Sequence, residues 1–247
     1  MTEDPYLIPG TEVLRNIPGL TNTAQLEEFE ANMAAARVAQ LETVAVKIPG
    51  NCDLDHLLAH HRHVFQDVYS WAGVPRTVSI SKPGTTFCEP RWIESSAATI
   101  FQDLAQANRL QGLERPEFVA GAAHVLTEIN VLHPVREGNG RAQRSFMGTL
   151  ARQAGWQLDW SRVDPARNIE ASIAGYRGDE RPMAELLDDI TSRLPPGWET
   201  ESSGSPPGRS PTPSRGRGSI GRPAGISGAL PRLPRSRPGR NNPGFGR

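Results

Sequence analysis

One twelve-residue segment, HPVREGNGRAQR at residues 133–144, holds the most chemically promising side chains of the chain. Apolar residues at helical spacing precede and follow it, so we interpret it as a short loop that leads into a helix N-terminus. Gly138 and Gly140 flank Asn139, and glycines permit backbone angles that are closed to other residues. Successive N–H groups in such a turn converge on anions, and the first N–H groups of the next helix add to them. The segment therefore predicts a phosphate-binding loop.

The charged residues of the segment suit the same chemistry. Arg141 and Arg144 share a face of the expected helix, where both could bind phosphate oxygens. Glu137 could hold Mg²⁺, which takes one or two carboxylates together with phosphate oxygens. His133 could accept a proton from an attacking hydroxyl. A GNG turn alone would indicate only a connection between helices, but all these groups in one register indicate phosphoryl or nucleotidyl transfer.

The elements that must position the segment are mostly helices, because apolar residues recur at helical spacing along the chain. The expected helices begin near Asn22 or Thr23, Asp53, Pro90, Pro116 and Arg141, and two more cover residues 165–176 and 182–193. Residues 77–87 form the one convincing β element, a hairpin that turns at Pro83-Gly84. The sequence therefore predicts an all-α fold with one small hairpin.

Charge is unevenly distributed along the chain. Residues 202–247 carry nine arginines and no acid, and because the whole chain is neutral the rest has a net charge of −9. From Pro195 onward, Pro, Gly, Ser and Arg dominate, and such a composition does not bury enough apolar surface to fold. We expect a globular domain at residues 1–195 and a disordered basic tail at residues 196–247. The tail could bind nucleic acid through its charge, but we favour a solvated extension.

The two cysteines, Cys52 and Cys88, are too few and too far apart for a disulfide framework, which fits a reduced compartment. The start, MTEDPYLIPG, has neither the basic nor the apolar region of a signal peptide. No apolar run approaches the length of a membrane span. We therefore expect a soluble, cytoplasmic protein with no membrane partner.

The segment at residues 133–144 also resembles the signature of the Fic family, HPFx(D/E)GNGRxxR. Val135 replaces the usual Phe, and we expect it to pack inward. The similarity extends over about residues 5–190 and includes HRHVFQDVYSWAG at 61–73, ISKPGTTFCEP at 80–90 and AGWQLDW at 154–160. The resemblance implies a Fic-type helical bundle with a small β-hairpin flap and a core at about residues 50–190.

The resemblance further implies a protein adenylyltransferase, which transfers AMP from ATP to a Tyr, Ser or Thr hydroxyl of a target protein. His133 would be the general base, and Glu137 would hold Mg²⁺. The loop residues would cradle phosphates, with the Asn139 side chain at the α-phosphate. Arg141 would bind the β-phosphate, and Arg144 the γ-phosphate.

The flap would pair with a strand of the target. Lys82 in the flap could reach a phosphate or the target backbone, or it could be solvated. The kinase branch that resembles Doc has a lysine in the place of Gly140, so its absence here argues for AMP transfer. A kinase, another nucleotidyl or phosphocholine transferase and a non-catalytic Fic-like binding module are the alternatives.

Fic enzymes are often restrained by a glutamate in an (S/T)xxxE(G/N) helix. The nearest match begins at Thr23 and places its acid at Glu27, but Glu28 follows instead of Gly or Asn. We interpret it as a chance match within the first helix. The resemblance therefore implies a toxin whose small, separate antitoxin brings an inhibitory Glu to Arg144, with type II topoisomerase subunits as the leading targets.

Four histidines, His56, His60, His61 and His63, lie in the second expected helix. His56 and His60 are one turn apart and could bind a metal. No acid or cysteine completes a ligand set, so we favour structural roles for all four.

Overall fold

The computed structural model describes residues 4–195, and the predicted basic tail at residues 196–247 lies outside them. The described residues form seven α-helices: α1 (Thr23–Glu42), α2 (Leu54–Phe65), α3 (Ile93–Gln106), α4 (Arg115–Leu132), α5 (Asn139–Gln153), α6 (Pro165–Arg177) and α7 (Arg181–Ile190). Two short antiparallel sheets accompany them: β1 (Ser81–Lys82) with β2 (Thr85–Thr86), and β3 (Trp156–Leu158) with β4 (Thr191–Arg193). The prediction of a helical fold with a small hairpin is confirmed. Within residues 4–195, no helix is both long and apolar enough to cross a bilayer.

Short polar side chains fix where several helices begin. The Asn22 side chain accepts a hydrogen bond from Gln25 N (3.1 Å) at the start of α1. Asp53 accepts one from His56 N (2.8 Å) at the start of α2, and Asp164 caps α6 in the same way. These caps satisfy N–H groups that have no partner within the helix. The Asn22 and Asp53 caps lie where the sequence predicted the starts of α1 and α2.

The helix that follows the motif loop is held in the centre of the fold. α5 packs against α2 and α4, and its inner face consists of Phe146, Met147 and Leu150, each 0% exposed. Burial of one such side chain stabilises the fold by about 1.5–3 kcal/mol. Val135 in the loop is 1% exposed, which confirms the prediction that it packs inward. The core therefore holds the loop through Val135 and holds α5 through its inner face.

The C-terminal part differs from the sequence prediction. We expected a helix over residues 182–193, but α7 ends at Ile190 and the chain continues as β4. The Thr191 hydroxyl donates to Leu187 O (2.6 Å), and Thr191 pairs with Leu158 in β3. The flap is thus not the one β element of the described chain. Helical periodicity does not reveal a three-residue strand whose partner lies far away in the sequence, because tertiary pairing decides it.

The flap hairpin lies where the sequence predicted it, but its ladder is only two residue pairs long. Ser81 pairs with Thr86, and Lys82 pairs with Thr85. The Thr86 N–H donates to the Tyr176 hydroxyl of α6 (3.3 Å), so α6 supports the β2 edge.

Candidate active site

His133 follows α4 in the left-handed region of backbone space (φ 46°, ψ 60°) and is 8% exposed. Its Nδ1 lies 3.1 Å from the carbonyl oxygen of Asn130. Because a carbonyl only accepts, Nδ1 carries the hydrogen and Nε2 keeps its lone pair. Burial lowers the pKa of His133 to about 4, although the hydrogen bond to Asn130 opposes that shift. His133 is therefore a neutral base at neutral pH.

The ring of Phe87, at the base of the flap, stacks on the His133 imidazole. The ring centroids are 3.7 Å apart, and the planes differ by 14°. Phe87 is 7% exposed. The stack and the Asn130 contact together fix the direction in which Nε2 points. The sequence analysis placed Phe87 in the flap but gave it no role.

Arg76 joins the flap to the loop that carries the base. Its side chain donates to the carbonyl oxygens of His133 (2.8 Å), Val78 (2.8 Å) and Cys88, and its backbone N–H donates to Pro134 O (2.8 Å). Arg76 is 2% exposed, and burial lowers its pKa. Its carbonyl partners satisfy a guanidinium that would otherwise be costly to bury. They also hold His133 in a backbone conformation that costs a non-glycine residue about 1–2 kcal/mol.

The Asn139 side chain closes the motif loop on itself. Its Oδ1 accepts from Val135 N (3.1 Å), and its Nδ2 donates to Val135 O (2.7 Å). Asn139 is 4% exposed. Both contacts shape the loop, and the expected contact of the Asn139 amide with the α-phosphate stays a prediction.

The two glycines of the motif differ in how strictly their positions exclude a side chain. Gly138 has φ +79°, and a Cβ there would lie 2.3 Å from the Phe65 ring. Gly140 is helical, and a Cβ there would meet only Arg144 Nη1, at 3.5 Å. α5 begins at Asn139, earlier than predicted, so the N–H groups of Asn139, Gly140 and Arg141 have no acceptor within the helix. Open space and free donors at this end suit an anion.

The two motif arginines at the start of α5, Arg141 and Arg144, have different surroundings. Arg141 donates to the carboxylate of Glu30 in α1, and its guanidinium lies over the Phe65 ring, 4.7 Å from the centroid. Arg144 is partly buried, and within residues 4–195 it makes no hydrogen bond or ion pair. Burial and the charge of Arg141 both lower the pKa of Arg144. Two neighbouring cations, one without a counter-charge, favour an anionic ligand.

Glu137 lies in the motif loop, directly before Gly138, and is exposed. One of its carboxylate oxygens accepts from Gly138 N (2.8 Å), and the other has no hydrogen bond within the described chain. A single open carboxylate oxygen fits Mg²⁺, because this ion usually keeps several waters and takes its other ligands from substrate phosphates.

Lys82 is exposed on β1, and its charge helps to lower the pKa of His133. The positive charge of Lys82 therefore acts on His133. Within residues 4–195 the Lys82 side chain makes no hydrogen bond to a motif residue.

His61 supports the backbone beside Glu137. Its Nδ1 accepts from Gly73 N (2.8 Å), so its Nε2 carries the hydrogen and donates to Glu137 O (2.9 Å). Burial lowers the pKa of His61 to about 4. A neutral imidazole thus links the end of the α2 region to the motif loop.

The other helix histidines make structural contacts. Both ring nitrogens of His56 are engaged, with Cys52 N (3.1 Å) and with Ile48 O (3.0 Å). His60 Nδ1 lies 2.9 Å from the Ser145 hydroxyl. Because His56 has no nitrogen left for a metal, the contacts agree with the structural interpretation of this group.

The motif residues that the sequence selected all lie around the loop and the N-terminus of α5. Four residues that it did not select support them: Arg76, Phe87, His61 and Glu30. His61 was noticed only as one of a group, and Arg76 follows the similar stretch at residues 61–73 without belonging to a recognisable pattern. Glu30 lies one turn beyond Glu27, the acid that the inhibitor pattern matched, and no spacing rule distinguishes it.

The chain is similar to known protein adenylyltransferases. The Fic/DOC family model matches residues 51–151. Probable protein adenylyltransferase y4lH of Sinorhizobium fredii is 42% identical over 184 residues, which is 74% of this chain and 93% of that protein. Probable protein adenylyltransferase Fic of Escherichia coli strain K12 is 38% identical over 189 residues, 76% of this chain and 92% of that protein.

Solved structures give the same result. The N-terminal Fic domain of a VirB-translocated Bep effector protein from Bartonella quintana, with bound ADP, aligns with a TM-score of 0.70 at 31% identity. The alignment covers 76% of this chain and 94% of that one. The prediction of a Fic-type protein adenylyltransferase is confirmed at the level of family and enzyme class. The chain belongs to the Fic/DOC family.

Proposed function

We propose that this chain transfers AMP from ATP to a Tyr, Ser or Thr hydroxyl of a target protein. The observation that carries the proposal is a neutral His133 next to a helix N-terminus that has free N–H groups and an arginine, Arg144, that has no counter-charge among the described residues. A base beside an anion site is what transfer of a charged group to a hydroxyl requires.

In the proposed reaction, the target hydroxyl oxygen attacks the α-phosphorus of ATP while Nε2 of His133 takes the hydroxyl proton. The bond between the α-phosphorus and the oxygen that bridges to the β-phosphate breaks, and pyrophosphate leaves. The N–H groups at the start of α5 stabilise the charge that develops on the phosphates. Arg141 binds the β-phosphate and Arg144 the γ-phosphate, which gives Arg144 its missing counter-charge.

Glu137 is the residue that would hold Mg²⁺, through the carboxylate oxygen that its Gly138 contact leaves open. The ion, when bound, would neutralise part of the phosphate charge. Glu137 itself sits at the positive end of the α5 dipole, where a carboxylate is stabilised.

The flap is the proposed binding edge for the target. The Thr86 N–H on β2 already donates to Tyr176, so β1 is the edge that we assign to the added strand. β1 also carries Lys82, whose charge acts on His133. A target segment on this edge would lie near the base. Type II topoisomerase subunits are the first targets to test.

Restraint by a separate antitoxin fits the surroundings of Arg144. Glu27, the acid of the chance inhibitor match, is exposed, and Glu30 contacts Arg141 and not Arg144. Within residues 4–195 no acid forms an ion pair with Arg144. We therefore propose that this protein is the toxin of a toxin–antitoxin pair, whose small antitoxin supplies the inhibitory Glu.

The test incubates the protein with Mg²⁺, bacterial lysate or purified type II topoisomerase subunits, and ATP labelled at the α or the γ position. We expect label from the α position only, and its loss in His133→Ala but not in the matched control His124→Ala, a histidine of α4, the helix that His133 follows. Label from the γ position would indicate a kinase, and no label from either would indicate a non-catalytic binding module. Deletion of residues 196–247 should leave transfer intact unless the tail recruits the target.

A further inference from the structure

Glu30 is a buried carboxylate beside the nucleotide site, and the proposed reaction gives it no role. It is 9% exposed on α1. One carboxylate oxygen accepts from Arg141 Nη2, and the other accepts from the Tyr69 hydroxyl. A carboxylate is costly to bury unless both its charge and its lone pairs are satisfied, and here they are. α1 precedes residues 51–151, to which the family model is matched.

Arg141 is held on two sides and open on the others. Glu30 engages one guanidinium nitrogen, Nη2, and the Phe65 ring lies under the guanidinium carbon. Within the described chain, its other N–H groups have no hydrogen-bond partner, and its side chain is 28% exposed. A guanidinium has five N–H donors in a fixed plane, so one contact leaves several donors for a phosphate.

Glu30 itself is fixed from behind. Tyr69, which donates to it, is 2% exposed. Burial and the hydrogen bond to Glu30 raise the pKa of Tyr69, so its hydroxyl stays a donor. An acid that competed with phosphate for Arg141 would have to move aside when the nucleotide binds. Because the buried Tyr69 anchors it, we expect the Glu30 carboxylate to keep its position when the nucleotide binds.

We propose that Glu30 is a positioning residue that orients Arg141, so that the free N–H groups of Arg141 meet the β-phosphate of the bound nucleotide. The proposal rests on the nucleotide site of the proposed function. It follows from the contacts of Glu30 with Arg141 and Tyr69, and it makes α1 part of the nucleotide site. An arginine already fixed by its neighbours loses less side-chain entropy when a phosphate binds.

The test compares two nucleotides that differ by the β-phosphate. Calorimetry measures binding of ADP and of AMP to the full chain, to Glu30→Gln and to the matched control Glu27→Gln, an exposed acid of the same helix. We expect Glu30→Gln to weaken ADP binding about tenfold, in line with one charge-assisted contact. AMP binding should be unchanged, because AMP lacks the β-phosphate. Glu27→Gln should resemble the unaltered chain.

A second pair of variants keeps the test independent of any loss of folding. Tyr69→Phe keeps the buried ring and removes only the hydroxyl that anchors Glu30, so it should weaken ADP binding in the same direction by a smaller factor. In an Arg141→Ala background, Glu30→Gln should have no further effect on ADP binding, because the group it positions is gone. Thermal unfolding without nucleotide reports the structural effect of each change separately.

Several results would overturn the proposal. Equal losses of ADP and AMP binding would mean that Glu30 only supports the fold, and tighter ADP binding in Glu30→Gln would mean that Glu30 competes with phosphate. Unchanged ADP binding in Glu30→Gln and Tyr69→Phe would also exclude a positioning role. Failure of the unaltered chain to bind either nucleotide would instead overturn the proposed function.

Discussion

The His133 imidazole and the Phe87 phenyl ring lie face to face, with their centroids 3.7 Å apart. One ring follows α4 and the other lies at the base of the flap, so the contact joins the candidate base to the element proposed to bind the target. The stack leaves the ring nitrogens at its edge, where Nδ1 is held by Asn130. The direction of Nε2 therefore depends on the flap.

Replacing Phe87 should reduce the rate of transfer more than the affinity for ATP. In Phe87→Leu the side chain still fills apolar space but no longer stacks, and an aromatic pair is worth about 0.5–1.5 kcal/mol, or roughly two- to tenfold in rate. Steady-state kinetics should show a lower kcat with little change in the KM for ATP. The control is Phe101→Leu, a buried ring in α3. A higher KM with an unchanged kcat would contradict the positioning role.

Arg76→Lys should loosen the flap from the motif loop. A lysine has one ammonium group and does not reach all of the carbonyl oxygens that the guanidinium joins, so buried acceptors lose their partners at a cost of about 1–3 kcal/mol each. Thermal unfolding should occur at a lower temperature, and amide hydrogen exchange around Cys88 should become faster. Arg162→Lys, at an exposed position, should change neither. Retention of full stability and slow exchange in Arg76→Lys would show that the network is dispensable.

The two motif glycines should respond differently to alanine. Gly138→Ala combines a positive φ with a Cβ at 2.3 Å from the Phe65 ring, so it should destabilise the fold by more than about 1 kcal/mol. Gly140→Ala has an ordinary helical backbone and should fold with equal or up to about 1 kcal/mol greater stability. Its added methyl group lies where phosphates are proposed to approach, so it should weaken ATP binding. Chemical denaturation and calorimetry separate the two effects, and equal destabilisation by both changes would contradict the assignment.

Stability should fall in mild acid because burial lowers the pKa values of several histidines, three of them strongly. Burial lowers the pKa of His60 to about 3 and those of His61 and His133 to about 4, from a usual value of 6.5. The unfolded chain therefore binds more protons below pH 6.5, so this stability is complete above about pH 6.5 and is lost as the pH falls toward 4. The loss approaches about 1.4 kcal/mol per pH unit for each histidine. Urea unfolding at pH 7 and pH 5 measures it, and equal free energies of unfolding would refute the buried, neutral assignment.

Much of the site could be predicted because its residues are contiguous. His133, Glu137 and the two motif arginines at the start of α5 fall within one loop and about one helix turn, so spacing alone places them together. The flap was recognisable because β-prone residues flank a Pro83-Gly84 turn, a local signal. The start of α2 was recognisable at Asp53 for the same reason.

The supporting residues could not be predicted, because their partners are distant in the sequence. Arg76 meets His133, and Glu30 meets Arg141, only after the helices pack. In the sequence, Arg76 follows a proline and Glu30 lies in an acid-rich helix. Each therefore resembles an ordinary solvated charge. Their burial, which no local pattern encodes, is what distinguishes them.

Phe65 has a double role at the foot of the motif loop. Its edge excludes any side chain from Gly138, and its face lies under the guanidinium of Arg141. A substitution at this one position would therefore alter the turn and the cation together. A substitution that changed the affinity for the nucleotide without changing the loop geometry would therefore need a compensating substitution elsewhere. This requirement constrains how the site could diverge.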